Sequence, residues 1–160
     1  AIARESTFVP ARMNLATLLS SQARNDDAEE LLREAVRLQP TWGQAHYSLG
    51  LLLAEDRKRL PEAIRSLERA AGHWIDNPRI PYNLGIAYWQ SENFDQAAKA
   101  LQQAIDLQPD NPEFVQSLIQ LYVQQRQPKE ALPYARRLLE LVPDNPGVRA
   151  FVAQIERQAQ

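Results

Sequence analysis

The residues of this chain that invite a chemical reading are few. The run His46-Tyr47-Ser48 places an imidazole, a phenol and a hydroxyl side by side in sequence, the raw material of general-base or nucleophilic chemistry. On a helix, however, adjacent residues point in different directions, and no acid is spaced to orient the imidazole. His46 and His73 fare no better as a metal pair, because the pattern puts them on different helices and supplies no third ligand. The chain has no cysteine, which removes disulfides, thiolate metal sites and a cysteine nucleophile. We therefore expect no catalytic residue, no metal and no cofactor.

Charge is equally unspecialised. The formal net charge is −2 over 160 residues, and no stretch is basic enough to track a phosphate backbone, so nucleic acid is not an expected partner. Asp56-Arg57-Lys58-Arg59, with Arg65 and Arg69, is the one basic cluster and reads as a solvated turn, contact with an acidic partner being the alternative. Asp26, Asp27, Glu29, Glu30 and Glu34 are interleaved with Arg24, Arg33 and Arg37, which suggests pairing on a helix surface rather than a cation site. No run approaches the roughly 18 apolar residues of a membrane span. Ala1-Ile2-Ala3-Arg4-Glu5-Ser6 lacks the apolar core of a signal peptide. Basic residues are nearly all Arg, with Lys58, Lys99 and Lys129 as the lysines, a composition that suggests a GC-rich bacterial genome. A soluble protein of the bacterial cytoplasm or periplasm is expected, with the compartment open.

The informative feature is a repeat. Shifting the sequence against itself by about 34 residues brings small and large apolar positions back into register, the period of a helix-turn-helix unit. The best copy lies in 78–111. Gly85, Ala97 and Ala104 stand where two helices must approach closely, Leu84, Tyr88, Phe94 and Leu101 surround them, and Pro109 ends the unit. The first unit, 9–42, has Leu15, Ala16, Leu18 and Leu19 as the apolar stripe of one helix. Ala28, Leu31, Leu32, Ala35 and Leu38 form the stripe of the next, and Asn25-Asp26-Asp27 is expected to cap it. The second, 43–77, is one residue longer, and the extra residue must lie in Asp56-Arg57-Lys58-Arg59, before Pro61 opens a helix. Its end departs from the pattern, with Gly72-His73-Trp74-Ile75 in place of leucine and proline. The fourth, 112–145, carries Ile119 where glycine stood, a change expected to widen the helix pair and to be compensated by Ala135 where Leu101 stood. Asp76-Asn77-Pro78, Asp110-Asn111-Pro112 and Asp144-Asn145-Pro146 mark the junctions, the last two as matching pairs of a capping side chain and a proline at the first helical position.

After Pro146 a last helix, within 146–160, carries Val148, Phe151, Val152 and Ile155 on one face and polar residues on the other, the pattern of a cap. Residues 1–8 fit poorly and read as the end of a truncated upstream repeat. With Ile2, Phe8 and Met13 near an open end, an upstream domain or self-association is expected there.

The pattern of Leu-Gly, Tyr, Ala, large apolar residue, Ala and Pro resembles the tetratricopeptide repeat, as four units plus a C-terminal capping helix. It is most specific in Leu84, Gly85, Tyr88, Ala97, Leu101, Ala104 and Pro109. The tryptophan often found early in the first helix is absent, the positions being Arg12, His46, Pro81 and Val115. The resemblance implies an all-α, right-handed superhelical solenoid of antiparallel helix pairs, whose first helices line a groove that binds peptides or partner proteins without chemistry of its own.

By that resemblance the groove is lined by Met13, Thr17 and Ser20; Tyr47, Leu51 and Ala54; Tyr82, Ile86 and Trp89; and Gln116, Gln120 and Val123, with Arg79 and Asn83 beside the third set. Co-chaperone members grip a C-terminal carboxylate with lysine, asparagine and arginine on three first helices. Here those positions are Met13 and Thr17, Ser48, then Arg79 and Asn83; one repeat later they are Tyr47 and Leu51, Asn83, then Glu113 and Ser117. Too little of the charged clamp is present, so binding of such tails is not expected. The expected site holds an apolar or aromatic segment on Tyr47, Leu51, Tyr82, Ile86 and Trp89, while Asn83, Gln116 and Gln120 bond its backbone. The alternative is that these aromatics pack between adjacent first helices. The segments 8–15 and 46–50 are also similar to repeat domains appended to larger bacterial proteins, including multihaem cytochromes. With no Cys-x-x-Cys-His motif, haem chemistry would lie outside this chain. The expected function is a protein-interaction module that binds a protein or peptide partner in its groove, not an enzyme. The alternative is an assembly domain that forms a homo-oligomer through its N-terminal end.

Overall fold

A computed structural model describes residues 9–160; the expectations placed on residues 1–8, Ile2 and Phe8 among them, lie outside the described residues. Among the described residues nine α-helices follow one another: α1 (Val9–Ser21), α2 (Asn25–Leu38), α3 (Gly43–Ala54), α4 (Leu60–His73), α5 (Arg79–Gln90), α6 (Phe94–Leu107), α7 (Pro112–Gln124), α8 (Pro128–Leu141) and α9 (Pro146–Gln158). They pack as α1/α2, α3/α4, α5/α6 and α7/α8, each second helix also packing on the first helix of the next pair, and α9 packs on α8. The result is an all-α solenoid.

Within the second and third pairs a small residue receives a large one. A Cβ on Gly50 would lie 2.7 Å from Leu67 Cγ, and one on Gly85 would lie 2.8 Å from Leu101 Cγ. At the aligned positions of the last pair the sizes are exchanged, Ile119 and Ala135 both being fully buried. Fully burying a leucine or isoleucine side chain contributes roughly 1.5–3 kcal/mol.

The junctions behave as capping chemistry dictates. Asn111 Oδ1 accepts a hydrogen bond from the Glu113 amide at 3.0 Å, and Asn145 Oδ1 accepts from the Gly147 and Val148 amides at 3.0 and 3.2 Å. Both asparagines have φ −85° and ψ 108°, and a proline follows each. Asn77 Oδ1 accepts from the Arg79 amide in the same way, at 3.0 Å. Asn25 differs from expectation: it lies inside α2, makes no cap, and donates through Nδ2 to Glu55 at 2.8 Å. The chain reaches α2 through left-handed Ala23, which puts Arg24 rather than Asn25 at the cap position.

Left-handed residues recur. Ala23, Glu92 and Arg126, at aligned positions between first and second helices, have φ of 59°, 63° and 56°. Each is followed by an amide that reaches back to a carbonyl five residues earlier: Arg24 to Leu19, Asn93 to Tyr88 and Gln127 to Tyr122, all at 2.9 Å. That closes the first helix in a Schellman-type turn. In the second pair the longer connection forms a 3₁₀ turn over Arg57–Arg59, and Asp56 accepts from the Lys58 amide.

Asp56, Arg57 and Lys58 are exposed, as a solvated turn requires, but Arg59 is engaged with the neighbouring pair. Arg59 reaches Glu29 of α2 through two nitrogens, at 2.5 and 2.7 Å, and Glu62 at 3.0 Å, while Arg33 bonds both Glu29 and Glu62. Arg59, with Arg33 beside it, overrides the opposing effect of burial and holds the Glu29 carboxyl down from the usual 4.5 to about 2.

The apolar stripe of α1 also differs from expectation. Ala16 and Leu19 are buried, together with Val9 and Met13, but Leu15 and Leu18 are exposed. Periodicity marks a residue as apolar without showing whether a neighbour exists to cover it.

Candidate functional site

The first helices α1, α3, α5 and α7 bring the expected groove residues into a series, but with different fates. Met13 does not line it. The residue is 4 % exposed and joins a core with Ala16, Ala45 and Leu49, because its unbranched thioether has no polar tip to keep in water. Thr17 is exposed and returns its hydroxyl to the Met13 carbonyl at 3.0 Å. Leu51 is exposed.

The aromatic and amide residues in the middle of the series are engaged with one another. Asn83 Nδ2 donates to the Tyr47 hydroxyl at 2.7 Å, tying α5 to α3, and Tyr47 meets Trp74 edge-on with centroids 6.1 Å apart. Tyr82 stacks on Phe114 of α7 at 4.8 Å, its hydroxyl 3.4 Å from Ser117 Oγ. Arg79 sits over both rings, 5.7 and 5.3 Å from their centroids, and pairs with Glu113 at 2.8 Å. Trp89 Nε1 donates to Gln124 Oε1 at 2.8 Å. Burial pushes the Tyr47 and Tyr82 hydroxyls upward from the usual phenol range. Apart from Tyr47 on Trp74, which closes α4, these contacts join consecutive first helices, as the packing alternative describes; they leave Tyr47, Tyr82, Asn83, Ile86 and Trp89 half-buried rather than enclosed.

Open space lies on either side of Gln124. One depression of about 350 Å³ is bordered by Ile86, Trp89 and Phe94, with Arg57 and Glu92 at its edge. The other, of about 520 Å³, lies between α7 and α9, walled by Gln116, Gln120 and Gln124 and floored by Val123, Val148 and Phe151. None of its lining residues is charged. The glutamines recur every fourth residue and therefore form one ladder along α7. Such a surface can exchange hydrogen bonds with a peptide backbone and accept an apolar side chain. It cannot supply charge-assisted bonds to a carboxylate.

Gln124, Val148 and Phe151 were not expected at the site. The four-residue spacing of the glutamines was the available signal, whereas α9 reads from sequence as a cap only. A third depression, about 390 Å³, is bordered by Trp74, Ile75, Pro81 and Leu107, where the end of the second unit departs from the pattern.

The histidines have structural partners. His46 is buried, its Nε2 lies 2.8 Å from the Pro40 carbonyl, and its ring stacks on His73 at 6.3 Å. Among the described residues no group of three or more His, Cys, Asp or Glu side chains is placed to hold a metal ion, and no helix is long and apolar enough to cross a membrane.

No curated protein sequence matches the chain. Among solved structures, MamA from Desulfovibrio magneticus RS-1 (residue 41 to its end) is similar, with 22% identity, 86% of this chain and 77% of that one covered, and a TM-score of 0.77. PilF from Pseudomonas aeruginosa has 20% identity, covering 97% and 69%, at a TM-score of 0.74. A further MamA crystal structure has 26% identity, covering 83% and 77%, at 0.75. These likenesses carry the fold. The sequence profile described as tetratricopeptide repeat matches residues 13–78 and 82–146, most of the chain. With the helix pairs, their small-to-large packing and their shared turns, this places the chain in the tetratricopeptide repeat family of protein-interaction modules.

Proposed function

We propose that the chain, as four repeats bounded at 9–42, 43–77, 78–111 and 112–145, captures an uncharged segment of a partner protein along α5, α7 and α9. The supporting observation is the depression between α7 and α9, where a glutamine ladder stands over an apolar floor with no charge at hand. The segment's backbone bonds Gln116 and Gln120, and one apolar side chain enters beside Val123, Val148 and Phe151. Leu51, Ile86 and the exposed edge of Trp89 continue the surface toward α3. Capture then needs neither a free carboxylate nor a basic clamp.

Selection from a random peptide library tests this without a known partner. Peptides recovered on the wild-type chain should share an apolar anchor, tolerate C-terminal amidation and lose at least about 10-fold in affinity on a Gln120→Arg, Val123→Asp variant that keeps its helical spectrum. Equal affinity for both proteins would sink the reading.

A further inference from the structure

The outer face of α1 carries an inference that is independent of the groove. Ala11, Leu15 and Leu18 lie on one side of α1, and Leu15 and Leu18 are 46 % and 54 % exposed. Their aligned residues in α3 are Ala45, Leu49 and Leu52, the same three residue types. In α3 that face is closed: Ala45 is fully buried, Leu49 is 4 % exposed, and both share a core with Ala28, Leu32 and Ala35 of the preceding helix, α2. Leu84 and Ala87, the aligned pair in α5, share a core with Leu60, Ile64 and Leu67 of α4. In α7 the corresponding Phe114, Leu118 and Leu121 are buried in the core that includes Leu101, Ala104 and Ile105 of α6. Three later first helices thus share a core with a preceding second helix on this face, while in α1 Leu15 and Leu18 are exposed and no described element precedes it.

We propose that the Ala11-Leu15-Leu18 face is a docking surface for one further amphipathic helix of the α2 kind. Helix α2 shows the chemistry required, with alanines at the closest approach and leucines beside them on an otherwise charged helix. The flanks of the α1 face agree with such an occupant. Asn14, Ser21 and Gln22 are polar and uncharged, and the one charged side chain of α1, Arg12, is already paired with Glu34 of α2 at 2.9 Å. The opposite end of the solenoid does not fit, because the outward residues of α9 include Arg149, Gln154 and Arg157. A head-to-tail stack of copies would therefore set an apolar face against a polar one.

The test supplies such a helix. Residues 25–42, which are α2 and its junction, are placed directly before Val9 in exchange for residues 1–8, so that α1 follows them in the register in which α3 follows α2. The Tm should rise by at least about 5 °C, and replacing Leu15 and Leu18 with Ser should abolish that gain while costing the original chain far less. An unchanged Tm in a helical graft overturns the proposal. Should the graft misfold, a synthetic peptide of residues 25–38 is titrated into the whole chain. Saturable shifts confined to the Leu15 and Leu18 methyl signals support the docking surface, and their absence overturns it. If the chain as it stands is a dimer that L15S/L18S makes monomeric, the occupant is a second copy and the helix assignment fails.

Discussion

Tyr47 and Asn83 share the hydrogen bond that decides how the first-helix face is to be understood. A neutral bond of this kind contributes about 0.5–1.5 kcal/mol net. A double-mutant cycle with Tyr47→Phe and Asn83→Ala should therefore show coupling of about 1 kcal/mol in urea unfolding, with the double variant little worse than either single one. Additive losses would mean that the bond contributes nothing to holding α3 against α5. Spacing put Tyr82, Ile86 and Trp89 on one stripe, and the structure keeps them on one. What spacing left open was how much of each side chain is spent on the neighbouring helix, since Trp89 on Gln124 and Tyr82 on Phe114 depend on the separation of helices about 35 residues apart in sequence. Met13 shows the same limit. It falls on the groove-lining position, yet chemistry favours the core when the side chain has no polar end.

At the scale of the element, helices and their junctions were legible because their signals are local. Asn111-Pro112 and Asn145-Pro146 specify a cap and a helix start within a few residues. The turns inside the pairs were not legible. Left-handed backbone is usually announced by glycine, and here Ala23, Glu92 and Arg126 adopt it instead. Each such residue costs roughly 1–2 kcal/mol relative to glycine, offset in part by glycine's greater freedom in the unfolded chain. Glu92→Gly and Arg126→Gly should each raise stability by up to about 1 kcal/mol in denaturant titrations. Lys58→Gly, within the 3₁₀ turn that stands in place of the left-handed residue in the second pair, should lower it. A uniform loss at all three positions would show that the side chains, not the backbone, hold these turns.

At the scale of the whole molecule, stability must pass from pair to pair, and the Arg33, Glu29, Arg59 and Glu62 network bridges the first two. Because the Glu29 carboxyl is held at about 2 against a usual 4.5, the stabilisation it brings is complete above about 4.5 and is lost as pH falls toward about 2. Urea unfolding across that window should show a loss for the wild-type chain that Glu29→Gln flattens, the variant being weaker at neutral pH. Parallel curves would assign the acid sensitivity to other carboxylates. The exchange of sizes between Gly85 with Leu101 and Ile119 with Ala135 works at this scale too. Were α5 to pair with α8, Gly85 would face Ala135 across a void; were α7 to pair with α6, Ile119 would collide with Leu101. Repeat chains fold under the hazard that similar neighbours trade partners, and these exchanged sizes act as a lock and its reversed copy, making the trade costly in both directions and favouring one pairing of helices in the last two repeats.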